Sequence, residues 1–147
     1  MTVNLFVLST GFQYYFSTLL IEHLRLTDVV YAMYQPREGI ERRAAARHPV
    51  VFADASDTAT RLFGKKIGKL RFARRAFDTL GLRGKQVRVF APYYNESFVY
   101  ALRRLLDRHC AGVEYNMIPD GAALLRHLPG KAKGGALPGW LLRLVFG

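Results

Sequence analysis

A parallel α/β sandwich is the fold this sequence predicts, and three observations predict it. Short apolar runs of strand length alternate with stretches whose apolar residues recur every three or four positions. Most of the segments between those runs are long enough for the crossover of a dozen or more residues that two parallel strands require. Finally, 147 residues, half of them apolar, leave room for one core and not for two full domains. Helical crossovers cover both faces of such a sheet, so the expected form is a single Rossmann-like, three-layer domain with a mostly parallel five-stranded sheet.

The elements follow in order. Val3 to Leu8 is an apolar run of strand length, and Ser9-Thr10-Gly11 follows as turn and helix cap. Phe12, Tyr15, Phe16, Leu19, Leu20 and Leu24 then recur at helical spacing, with Gln13, Ser17, Glu22 and His23 between them, which predicts a first helix with its apolar stripe inward. Asp28 to Tyr34 is the second strand, closed by Gln35-Pro36-Arg37-Glu38-Gly39. Pro49 to Ala53 is the third, ending in Asp54-Ala55-Ser56-Asp57, a helix cap. Leu62, Phe63, Ile67, Leu70, Ala73 and Phe77 make the apolar stripe of the next helix. Its other face is basic, with no acid between Thr58 and Ala76. Val87 to Ala91 is the fourth strand, and Asn95 caps a helix running from Glu96 to about Arg108. Val113 to Ile118 is the fifth strand, stopped by Pro119-Asp120-Gly121. Residues 1–128 thus form the Rossmann-like domain, and residues 129–147 a Gly/Pro linker with a short amphipathic C-terminal helix around Trp140 to Phe146.

In an open α/β sheet, ligands bind beyond the carboxyl ends of the strands where the strand order reverses, commonly between the first and fourth strands. Ser9, Thr10 and Gln13 stand on one side of that point, and Tyr93, Tyr94, Asn95 and Glu96 on the other. Asp54, Asp57 and Asp120 share the rim.

Charge narrows the partners. Lys and Arg number 22 against 11 Asp and Glu, a net +11 at pH 7, which attracts phosphates, anionic lipids or acidic glycans. The lone Cys110 makes neither an internal disulfide nor a zinc pattern and fits a reduced compartment. The four His, at 23, 48, 109 and 127, lack ligand spacing, so no metal is expected. No secretory signal is legible, and no apolar stretch approaches the roughly 18 residues of a membrane span, so a cytoplasmic location is expected. A dinucleotide fingerprint, a P-loop and GxSxG are all absent. The basic helix reads first as a solvated face. A nucleic-acid-binding module is the competing class, but no RNP-like, KH-like or helix-turn-helix pattern accompanies the charge.

Asp120 is the acid with most chemical interest. Between Pro119 and Gly121 at a strand end, it fits an ordinary turn aspartate bonding backbone N–H groups. In a partly desolvated cleft the same carboxylate gains proton affinity and serves as a general base toward a sugar hydroxyl.

The opening Asn4-Leu5-Phe6-Val7-Leu8-Ser9-Thr10-Gly11-Phe12-Gln13, a strand leading into Ser-Thr-x-x-Gln, resembles the start of bacterial sialyltransferases of glycosyltransferase family 52 and the related polysialyltransferases. Ile118-Pro119-Asp120-Gly121 resembles their acid-acid-glycine motif, with Pro119 in place of the first acid. The resemblance covers the chain as the first half of a two-domain GT-B fold. It implies Asp120 as general base, with Glu96 as runner-up, and Ser9, Thr10, Gln13, Tyr93 and Asn95 holding acceptor hydroxyls. It also implies CMP-sialic acid as donor substrate, bound by a C-terminal donor-binding domain that would follow Gly147, and no cofactor held by this half. The family's His-Pro motif belongs to that second domain. The only His-Pro here, His48-Pro49, precedes the third strand. The expected partners are a glycan acceptor, lipid-linked in surface-polysaccharide synthesis such as lipooligosaccharide or capsule, and anionic lipids of the inner membrane met peripherally through the basic helix and the C-terminal segment. A catalytically silent module of the same fold is the remaining alternative.

Overall fold

The structure, a computed structural model, describes residues 1–37, 39–53, 64–92 and 97–119. Five strands form one sheet: β1 (Thr2–Leu8), β2 (Val29–Tyr34), β3 (Val50–Ala53), β4 (Gln86–Ala91) and β5 (Gly112–Met117). Their order is β3-β2-β1-β4-β5 and every pairing is parallel. Four helices are described: α1 (Gly11–His23), α2 (Ile40–Ala45), α3 (Lys65–Thr79) and α4 (Ser97–His109). The predicted Rossmann-like sandwich is the fold observed. The C-terminal segment 129–147, the Asp54–Asp57 cap, Leu62 and Phe63 lie outside the described residues.

Two apolar layers hold the sandwich, one on each side of the sheet. Val3, Leu5 and Val7 of β1 point toward α3 and α4, where they join Phe72, Phe77, Leu102 and Leu106. Phe6 and Leu8 point the other way, toward Leu20 of α1 and Ile40 and Ala44 of α2. Period-two alternation sends successive side chains to opposite faces, and helices on both sides make both faces apolar. Every residue of β2 is therefore buried. The edges differ: β3 is only four residues long, and the Arg75 guanidinium donates to its Phe52 carbonyl at 2.6 Å, covering an edge acceptor.

Two helices turn a different face inward from the one their apolar spacing predicts. On α1 the buried residues are Gln13, Ser17 and Leu20, while Phe12, Tyr15, Leu19 and, just past its end, Leu24 are exposed. The polar side chains can enter because their bonds are met on the spot. Ser17 Oγ donates to the Tyr14 carbonyl at 2.6 Å and lies 3.0 Å from the Tyr31 hydroxyl. On α3 the inward residues are Phe72, Ala73, Ala76 and Phe77, while Ile67 and Leu70 face outward. Helix α2 was not expected from the sequence. Gly39 opens it in a left-handed conformation (φ 65°), and only Ile40 and Ala44, four apart, anchor it.

Candidate functional site at the β1/β4 switch point

The strand order reverses between β1 and β4. From β1 the chain steps outward through β2 to β3, then returns by α3 to pair β4 with β1 on its free side. In an open α/β sheet, such a reversal is where loops leaving neighbouring strand ends diverge to opposite faces, the usual place for a ligand crevice. Because β5 pairs with β4, the carboxyl ends of β1, β4 and β5 stand side by side, with β1 and β5 about 10 Å apart at the usual strand spacing.

On the β1 side the loop is held by a reciprocal capping box. Thr10 adopts extended backbone angles (φ −122°, ψ 156°), and its Oγ1 accepts from the Gln13 backbone N–H at 3.3 Å. Gln13 reaches back, its Oε1 accepting from the Ser9 and Thr10 N–H groups at 2.8 and 3.3 Å. The Ser9 carbonyl in turn accepts from Arg37 N at 3.3 Å, tying the loop to the end of β2. The Ser-Thr-x-x-Gln pattern therefore has a local physical role: it satisfies N–H groups that a helix start leaves without partners. Ser9 and Thr10 stay half-buried at the rim. Gln13, expected among the acceptor-holding residues, is 1% exposed, and its amide oxygen is taken by two backbone donors. It shapes the loop instead of offering that oxygen to a sugar hydroxyl.

On the far side β4 ends at Ala91, whose carbonyl accepts from Ile118 N at 2.9 Å, so the chain after β5 is still bound to β4 at the rim. Ile118 is buried and Pro119 half-buried. Asp120 follows directly. Asp120, Glu96, Tyr93 and Asn95 lie outside the described residues.

His48-Pro49 sits at the opposite edge, where the Pro49 carbonyl accepts from Tyr31 N at the start of β3. Burial first and the Arg47 charge second lower His48 from the usual imidazole value, favouring its neutral form. Its half-buried ring lies 5.7 Å from that of Tyr31. Among the described residues no three His, Cys, Asp or Glu side chains group as metal ligands. Burial, then Asp107, pushes the Cys110 thiol up, and its Sγ donates to the Leu82 carbonyl at 3.2 Å, both of which favour the protonated thiol.

The Tyr31 phenol, wholly inaccessible beneath α1, is pushed up to about 12 from 10.0 by burial, with the Ser17 hydrogen bond opposing. The folded state then holds a proton that the unfolded chain releases above pH 10. Stability from this group is intact below pH 10 and falls by on the order of 2 kcal/mol as pH rises toward 12. Tyr31→Phe is expected to flatten that alkaline limb in urea titrations across this range; an unchanged slope would rule the phenol out as its source.

No family model, no curated protein and no solved structure matches this chain.

Proposed function

We propose that this chain is the acceptor-side domain of a sialyltransferase-like glycosyltransferase of bacterial surface-polysaccharide synthesis. Asp120 serves as the general base, and Ser9, Thr10, Tyr93 and Asn95 orient the acceptor. The observation that carries the reading is the adjacency of β1, β4 and β5. It brings the start of the Asp120 turn to the same rim as the Ser9-Thr10 loop, with no strand but β4 between them. A loop pinned by four hydrogen bonds beside the switch point is what positioning a hydroxyl near a carboxylate requires, since a base must lie within hydrogen-bond reach of the proton it takes. The resemblance of the opening strand and of Ile118-Pro119-Asp120-Gly121 to the sialyltransferases supplies the substrate class. CMP-sialic acid is the donor, and the nucleotide is held by a second domain. Work on a lipid-linked acceptor sets the domain peripherally against the inner membrane. No described helix is long and apolar enough to cross one.

Inverting transfer also needs stabilisation of the departing nucleotide and exclusion of water, which a base at the acceptor does not supply. The chain by itself is therefore expected to bind a galactose-terminated oligosaccharide saturably, and to transfer sialic acid from CMP-sialic acid at a trace rate. Asp120→Asn should leave binding in place and lower any transfer about 10²–10⁴-fold. Absence of saturable binding, read by ligand-observed NMR, would remove the acceptor assignment. Transfer indifferent to Asp120→Asn would remove the base.

A further inference from the structure

The two helix layers differ sharply in charge. On one side α1 and α2 together carry two acids and two basic residues. On the other, α3 and α4 carry nine basic residues and two acids, so of the two helix layers this one is strongly positive. The two acids there, Asp78 and Asp107, are already engaged by Arg74 and Arg103. Lys66, Arg71 and Arg108 have no acidic partner among the described residues.

The charge on α3 does not serve the helix itself. Its first turn holds Lys65 and Lys66 and no acid, and its last turn holds Asp78, the reverse of what the helix dipole favours. Arg71 and Arg75, four apart, repel. Amid this charge stand two exposed apolar side chains, Ile67 at 44% and Leu70 at 53%, on the same stripe as Lys66, Arg71 and Arg74. Tyr100 of the neighbouring α4 adds a third, 57% exposed. Aliphatic groups flanked by cations, two of them (Lys66 and Arg71) without an acidic partner among the described residues, suit a surface that is anionic outside and apolar beneath.

Position adds the last observation. A crossover helix runs antiparallel to the strands it joins, so α3 begins at their carboxyl edge. The Lys69 ammonium 5.6 Å from the ring centroid of Tyr34, the last residue of β2, places it there. The stripe therefore starts at the rim that carries Ser9 and Thr10.

We infer that the α3/α4 face docks on an anionic lipid leaflet, with Ile67 and Leu70 entering the headgroup boundary and Lys66 and Arg71 meeting the phosphates. This surface is separate in sequence from the C-terminal segment, and its stripe begins at the carboxyl edge of the sheet. For the acceptor reading above, that is where a lipid-linked sugar would be presented. The docking itself does not depend on that reading.

The test is co-sedimentation of the full chain with vesicles of phosphatidylcholine alone and of phosphatidylcholine mixed with phosphatidylglycerol, across a salt series and without any glycan. Binding is expected only with phosphatidylglycerol present. Lys66→Glu with Arg71→Glu should weaken it more than about tenfold. Arg42→Glu with Arg43→Glu, on the opposite layer, should leave most of it. Ile67→Ser with Leu70→Ser, both outside the core, should weaken binding most where salt has screened the charges. Circular dichroism checks that each variant is folded. Equal loss from the α2 pair would overturn the proposal, because net charge and not this face would then be responsible. Absence of lipid-dependent binding would overturn it as well. So would indifference to Ile67 and Leu70 combined with tighter binding to a single-stranded oligonucleotide, which would make the face a nucleic-acid surface. None of these outcomes bears on acceptor binding, which is measured separately.

Discussion

Phe72→Ala is expected to lower the unfolding free energy by about 3–5 kcal/mol, while Leu70→Ala, two residues earlier on the same helix, changes it by no more than about 0.5 kcal/mol. Phe72 is 1% exposed and belongs to a three-ring cluster that joins β2, α3 and α4. Its ring centroid lies 5.5 Å from Tyr34 and 5.7 Å from Phe98, and those two stack on each other at 5.1 Å. Removing the ring costs its transfer free energy, its aromatic contacts and whatever cavity remains, because β2 is buried on both faces and cannot follow inward. Leu70 keeps its side chain in water, so truncation gives up almost nothing. In a domain of this size the Phe72 loss corresponds to roughly 6–20 °C in Tm. Paired urea or thermal melts decide the matter, and comparable losses at the two positions would mean that the helix is rotated from the orientation described.

That contrast also marks where the sequence was legible. The strands were, because Leu5, Val7, Tyr31 and Val89 stand in apolar runs with turn residues close by. Their alternation with helical segments led to the parallel sheet and to a switch point beside β1 and β4. The helices were legible as helices but not as faces. Counting apolar positions assumes that every large apolar side chain turns inward. On α1 it favours Phe12, Tyr15 and Leu19 over Gln13 and Ser17, although Gln13 is satisfied by its own loop and Ser17 by Tyr14 and, farther along the chain, by the Tyr31 hydroxyl. One local signal did point the right way: Thr10-x-x-Gln13 is a capping-box pattern, and a box closed by Gln13 draws that side chain back under the loop. Helix α2 left little trace, since six residues with anchors only at Ile40 and Ala44 make no periodicity. Ser9, Thr10 and the end of β5 lie at the carboxyl edge of the sheet, while Tyr93, Asn95, Glu96 and Asp120 lie outside the described residues.

Gln13→Ala is expected to cost about 1–3 kcal/mol, more than Thr10→Ala, although alanine is the better helix former. Thr10 contributes one long side-chain bond to the cap, and its loss falls in the lower part of the ~0.5–2 kcal/mol range for such substitutions. Gln13 holds two backbone N–H groups with one oxygen and fills buried space beneath the turn. Without it the Ser9 and Thr10 donors must find water, which means opening the loop at the β1 side of the switch point. The consequence reaches the proposed function by geometry alone: amide exchange at Ser9 and Thr10 should accelerate, and acceptor affinity should fall with it. Tyr15→Ser, on the exposed side of the same helix, should leave both unchanged. Protected Ser9 and Thr10 amides in the Gln13→Ala variant would show that the loop is held by something other than this box. The rigidity attributed to the β1 side of the rim would then need another source.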